Sequence, residues 1–191
     1  MSQGNSPSQL MDEAIRRHQA GQLDAAAGIY RQVLSTQPDH AEALHLLGVV
    51  DHQQGRHQQA VEGMRAALRR QPQSATILGN LALALRALGQ RVEAVEHLQK
   101  SLSVDPGYLV ARKNLGTVLH ELGRFAEAES HLRRVTAATP NDKGALSSFA
   151  LNLMKQGRNA EAEPVWQRVL TLQPDDASAH NNLGIALKEL G

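Results

Sequence analysis

Residues 75–108 read ATILGNLALALRALGQRVEAVEHLQKSLSVDPGY. Leu78, Leu81, Ala82 and Leu85 recur at steps of three and four, which lays them along one face of an α-helix. Gly89 ends that run, because glycine takes a left-handed φ without steric cost. Ala94, Val95, Leu98 and Leu102 repeat the spacing in a second run. Pro106 stops it, since proline cannot extend a helix ladder. The stretch predicts a helical hairpin with a tight turn at the glycine.

The same hairpin recurs along the chain every 34 residues. Five of the seven prolines keep that step: Pro38, Pro72, Pro106, Pro140 and Pro174. So do Gly21, Gly55, Gly89, Gly123, Gly157 and Gly191. An alanine recurs at Ala26, Ala60, Ala94, Ala128 and Ala162, and a small residue at Ala14, Gly48, Ala82, Gly116, Ala150 and Gly184. A large residue recurs at Tyr30, Met64, Leu98, Leu132 and Trp166. The small columns let two backbones approach closely, and the large one fills the remaining space. One hairpin cannot bury its apolar face alone, so neighbours must stack.

Composition agrees with a helical core. Apolar residues are 41% of the 191-residue chain and aromatics only 3%, so Leu, Ala and Val must build the interior. A net charge of +1 gives no global field to draw in nucleic acid or an anionic membrane. There is no cysteine, which excludes disulfides, a thiol nucleophile and Cys-based zinc sites. The first residues, MSQGNSP, lack the basic and hydrophobic regions of a signal peptide, and no stretch reaches the ~18 apolar residues of a membrane span. A cytoplasmic protein is the expectation.

These columns resemble the tetratricopeptide repeat, whose signature runs W-x2-L-G-x2-Y, then A-x3-F, then P. Residues Leu146, Phe149, Ala150, Leu153, Ala162, Trp166 and Pro174 carry the match in one repeat. Arg112, Leu115, Gly116, Leu119, Ala128, Leu132 and Pro140 carry it in the one before. The resemblance covers residues 7–191; bulky Trp and Tyr positions are replaced by Leu, Arg, His or Asp. It implies an all-α, right-handed α-solenoid of about 11 helices. The expected organisation is a disordered N-terminus at 1–6, then a single array at 7–191. Its repeats would be 7–40, 41–74, 75–108, 109–142 and 143–176, with a half repeat at 177–191.

The two ends read differently. Glu13, Arg16 and Arg17 stand where later repeats are apolar, which suits an N-terminal capping helix, with Ser8 as its N-cap residue. Leu183, Ile185, Leu187 and Leu190 leave the last helix with little polar outer face, which reads as a chain cut from a longer protein. Pro164 interrupts a second helix and reads as a tolerated kink or a late helix start.

The resemblance also implies that the first helices line a concave groove, with positions 2, 5, 6, 9, 12 and 13 of each repeat facing it. Position 6 holds Asp12, Leu46, Asn80, Asn114, Ser148 and Asn182; position 12 holds His18, His52, Arg86, His120, Met154 and Lys188. Position 5 includes His45, Lys113 and Asn181. An amide both donates and accepts, so an asparagine ladder can pair with the backbone of an extended peptide. The Asn-Leu-Gly triplets at 114–116 and 182–184 are similar to those of O-GlcNAc transferase arrays. The alternative is that asparagine here is a default of the family. The candidate peptide-binding residues are Asn80, Asn114, Asn182, Lys113, Arg86, His52, His120, Ser148 and Asn181. Asn80, Asn114 and Lys113 are expected to serve binding and not folding.

Other chemistries fare less well. Repeats that clamp a chaperone's C-terminal carboxylate need Lys, Asn, Asn, Lys and Arg at fixed positions. Lys113, Thr117, Ser148, Ser178 and Asn182 fit only at the first. Glu93 with His97, and Glu127 with His131, form i,i+4 pairs that could offer metal ligands, but ordinary Glu–His pairs on a helix face explain them. No phosphate loop, nucleophile elbow or H-E-x-x-H motif occurs, so neither an enzyme nor a cofactor is expected. The expected function is a protein–protein interaction scaffold that takes an extended peptide or partner helix in its groove. The alternatives are a self-assembling scaffold pairing through its apolar end, or the recognition arm of a larger transferase.

Overall fold

The computed structural model describes residues 6–191. They form eleven α-helices: α1 Pro7–Gln19, α2 Leu23–Thr36, α3 Ala41–Gln53, α4 His57–Arg70, α5 Ala75–Ala87, α6 Arg91–Val104, α7 Leu109–Glu121, α8 Phe125–Ala138, α9 Lys143–Lys155, α10 Asn159–Leu172 and α11 Ala177–Leu190. Odd-numbered helices are the first helices of the repeats and even-numbered ones the second. The chain divides into two compact units, 1–106 with α1–α6 and 107–191 with α7–α11. Within each unit every helix packs on the next along the chain.

The glycine turns form one motif. Gly55 sits at φ +78° and Gly89 at φ +78°, in the left-handed region that strains any other residue. The residue after each glycine donates its N–H back across the turn, Arg56 to the Asp51 carbonyl (2.8 Å) and Gln90 to the Leu85 carbonyl (2.9 Å). The second helix starts at once, without a side-chain cap.

Most first helices need a cap, because they follow an extended proline-containing turn. Asp142 accepts from the Ala145 N–H (3.0 Å) and Asp176 from the Ala179 N–H (3.0 Å). Ser74 accepts from Ile77 (3.3 Å), and His40 takes the same role with its ring nitrogen at 3.2 Å. For α1 the cap is Ser6 rather than the expected Ser8. Pro7 already meets the fixed-φ, donor-free requirement of the first helical position, and Gln9 returns a bond to the Ser6 N–H (2.9 Å), completing a capping box. Of the segment expected to be disordered, residues 1–5 lie outside the described residues, whereas Ser6 belongs to this cap.

The core forms where the repeating columns meet. Tyr30, Met64, Leu98, Leu132 and Trp166 are all buried, as are Ala26, Ala60, Ala94, Ala128 and Ala162. A Cβ on Gly48 would lie 3.0 Å from Met64 Cγ and 3.2 Å from the Ala60 carbonyl oxygen. One on Gly116 would lie 2.6 Å from Leu132 Cγ. At Gly48 and Gly116 the small column therefore marks a helix crossing, as the sequence predicts, whereas a Cβ on Gly184 in α11 would meet nothing within 4 Å. Arg16 and Arg17 are exposed on α1, while Met11 and Ala14 face inward. Pro164 lies inside α10, whose start at Asn159 keeps the register of the other second helices. A late start is therefore ruled out; Pro164 is exposed and simply lacks the N–H that would reach the Ala160 carbonyl.

Two substitutions test this packing. Ala94→Leu should overpack the α5–α6 crossing and lower stability by about 1–3 kcal/mol in urea unfolding. Pro164→Ala should restore the ladder bond at an exposed site and raise stability by about 1–2 kcal/mol, read as a higher urea midpoint at unchanged slope.

Candidate functional site

The expected groove positions lie on the first helices, and each unit shows what they do locally. In the unit built from α1–α6, two clefts open on this face. One, of about 480 Å³, is lined by Ile15, His18, Gln19, Tyr30, Glu42, Leu46 and Gln53. The other, of about 200 Å³, is lined by Val49, His52, Gln53, Met64, Asn80 and Leu83. Apart from Tyr30 and Met64, every one of these residues occupies position 2, 6, 9, 12 or 13 of its repeat. Tyr30 and Met64 come from the large-residue column and form the floors.

The smaller cleft brings His52 and Asn80 together. The Asn80 side-chain nitrogen lies 2.8 Å from His45 Nε2, so its amide is partly used to tie α5 to α3. His52 Nδ1 lies 3.1 Å from His57 Nδ1, with ring centroids 4.9 Å apart. Burial, and then the neighbouring His57, push the His52 pKa down. Arg86, near the end of α5, is half-buried and does not line this cleft.

In the unit built from α7–α11 the candidates divide into two groups. Lys113 is committed to the fold: its Nζ donates to Asp142 Oδ2 at 2.8 Å, and Asp142 caps α9. Lys143 repeats the device, donating to Asp176 Oδ2 at 2.9 Å at the start of α11. Lys113 thus has a folding role, contrary to the expectation that it serves binding alone. His120 is likewise engaged, with Nδ1 at 3.1 Å from Asn152 Oδ1. Asn114, Ser148 and Asn182 are half-buried, Asn181 is exposed, and none of the four makes a side-chain hydrogen bond among the described residues.

Three buried polar residues were not singled out from the sequence: Ser101, Asn152 and Asp51. The Ser101 hydroxyl donates to the Ala75 carbonyl at 2.7 Å. Asn152, fully buried, also donates to the Phe125 carbonyl at 3.0 Å and so ties α9 to the α7–α8 hairpin. Asp51, 6% exposed, accepts from Arg56 Nε (2.8 Å) and Nη2 (2.5 Å). The last two carry a sequence signal: Asn152 breaks a column of Val50, Ala84, Val118 and Ala186, and Asp51 a column of Leu85, Leu119, Leu153 and Leu187. Glu93 lies 3.6 Å from His97 Nε2, an ordinary i,i+4 pair on the helix face, and the glutamates of both expected pairs also bind arginines. Glu93 binds Arg65 at 2.5 Å and Glu127 binds Arg124 at 2.7 Å. Among the described residues no cluster of three or more His, Asp or Glu is arranged to hold a metal ion. Nor is any helix among them long and apolar enough to cross a membrane.

Comparison with known proteins agrees with this architecture. The tetratricopeptide repeat model matches residues 39–106 and 73–141, and a further TPR repeat model matches 150–191. The chain belongs to the tetratricopeptide repeat family, whose members are generally protein–protein interaction scaffolds without catalytic function. Comparison with curated proteins returns no match. Among solved structures the chain is similar to YrrB, a TPR protein with an unusual peptide-binding site, with a TM-score of 0.75 and 21% identity over 92% of this chain and 91% of that one. It is similar to TTC0263, a thermophilic TPR protein of Thermus thermophilus, with a TM-score of 0.74 and 23% identity over 96% and 100% of the two chains. It is also similar to the Cut9–Hcn1 structure of the APC/C, with a TM-score of 0.86 and 18% identity over 95% of this chain and 36% of that one.

The Lys113–Asp142 pair yields a test. Burial raises the Asp142 pKa, but the bonds from Lys113 and the Ala145 N–H outweigh it and hold the carboxyl below its ordinary value. A lowered pKa stabilises the fold above the unfolded value of about 3.9. That contribution is lost as pH falls through the folded value. Asp142→Ala should lower stability at pH 7 by about 1–2 kcal/mol, a difference that shrinks below pH ~4 in paired urea titrations.

Proposed function

We propose that this chain is a binding module that takes an extended peptide or a partner helix on the face formed by its first helices, and acts in the cytoplasm without catalysing a reaction. The observation that carries the reading is the pair of clefts on α1–α5, lined almost entirely by that face. Exposed polar groups and open concavities on rigid helices suit recognition. The unengaged amides of Asn114 and Asn182 support it, since each offers a donor and an acceptor to a passing backbone. In this reading they do what the resembling triplets of O-GlcNAc transferase arrays do. His45 and Asn80, already bonded to each other, contribute shape more than pairing.

A second reading, self-association, draws support from α11, where Ile185, Leu187 and Leu190 are 45–48% exposed. Light scattering at rising concentration separates it, because a strict monomer removes it. A role as the recognition arm of a larger transferase stays an analogy with the family.

The test of the first reading uses peptides selected on the full chain from a random dodecapeptide phage library. Asn114→Ala with Asn182→Ala should weaken their binding about tenfold or more, for two lost backbone pairs, while circular dichroism and thermal midpoint stay unchanged. Undiminished binding by the double variant would overturn the asparagine assignment.

A further inference from the structure

The larger cleft on α1 and α3 differs from the smaller one in chemistry as well as size. Its floor is Tyr30, whose ring is buried and whose Oη has no hydrogen-bond partner. Met64 takes that place in the smaller cleft and carries no hydroxyl. Trp166, at the same place in the fifth repeat, has its indole N–H satisfied by Met154 Sδ at 3.1 Å. A buried hydroxyl left unpaired costs about 1–3 kcal/mol, so an occupant that covers Tyr30 Oη without offering it a polar atom is disfavoured against one that does.

The cleft also carries a negative charge. Glu42 lines it from position 2 of its repeat, where the other repeats have Ser8, Thr76, Val110, Gly144 and Ser178. No lysine or arginine is among the lining residues, and His18 shares a hydrogen bond with Gln53 at 3.0 Å. Ile15 and Leu46 supply apolar walls, and the His18 and Tyr30 rings meet edge-on with centroids 6.3 Å apart. Burial, and then the Glu42 charge, push the Tyr30 pKa up to about 12. The hydroxyl stays neutral near pH 7 and is able to accept as well as donate.

We propose that this cleft seats the side chain of a lysine or arginine from an extended segment of a partner protein. The alkyl stem lies against Ile15, Leu46 and the Tyr30 ring, and the cationic head meets the Glu42 carboxylate and Tyr30 Oη. Long cationic side chains bury their stems and keep their heads at polar groups, which is the pattern of this cleft. An apolar side chain of equal length leaves Tyr30 Oη unpaired, and a carboxylate meets Glu42. The proposal rests on the first-helix face being the binding face, and it assigns one subsite of that face a specificity.

The experiment titrates the ¹⁵N-labelled full chain with acetyl-Ala-Ser-Lys-Ser-Ala-amide and with the counterpart carrying norleucine in place of lysine. The lysine peptide should move the signals of Ile15, Leu46 and the Gln53 side chain, and bind about fivefold tighter than the norleucine peptide. Glu42→Gln, at an exposed position, should abolish that preference, and Tyr30→Phe, which keeps the ring, should narrow it. Equal binding of the two peptides, or a preference that survives Glu42→Gln, would overturn the proposal. Shifts confined to Asn114 and Asn182 would also overturn it, yet leave the binding face standing. Loss of the selected dodecapeptides' dependence on Asn114 and Asn182, with the lysine preference intact, would do the reverse.

Discussion

Close approach of two helices at a small residue is the constraint on which the rest of the structure depends. Gly48 lies against Ala60 and Met64, and Gly116 against Leu132 and the Ala128 carbonyl. Where those backbones meet there is no room for a side chain. The space beyond them is filled by one large residue from the partner helix. Interiors at this density feel the change of a single methylene, so the columns are held to narrow size classes while their neighbours vary. With few aromatics, burial here comes from many small contacts repeated, which is why each hairpin needs the next.

Helix ends follow from the same economy of pattern. The glycine turn serves itself through backbone bonds, so second helices start without a cap. The proline turn delivers an extended residue, so most first helices are capped by Ser, Asp or, at α3, a histidine ring. In α9 and α11 the capping aspartate also receives a lysine from the preceding first helix, Lys113 or Lys143. One carboxylate then orders a helix start and joins two repeats. A lysine at a groove position can therefore be structural, which sequence position alone does not disclose.

Much of the candidate face was legible in the sequence, and its limits have a physical origin. Positions 2, 6, 9, 12 and 13 do line the clefts on α1–α5, because helical spacing and a fixed repeat dictate which residues share a face. What each residue does there was not legible. Asn80 and Asn114 hold the same position, yet Asn80 is bonded to His45 and Asn114 has no such bond. The difference lies in the neighbouring helix, where His45 stands within reach. Asn152 and Asp51 were detectable as polar breaks in apolar columns, but their partners, the Phe125 carbonyl and Arg56, became known only with the packing.

The sequence by itself determined the hairpin, its 34-residue period, the turn at each glycine and the columns that meet in the core. It could do so because those features are set by steps of three and four residues and by backbone freedom at single positions. Tertiary structure decided the rest: Ser6 and not Ser8 as the first cap, Lys113 as a strut and not a free cation, and Tyr30 as the floor of a cleft with its hydroxyl unpaired. Each of these depends on distances of about 3 Å between groups on different helices or across a turn. A hydrogen bond is made or missed over a few tenths of an ångström, a scale that residue order does not encode.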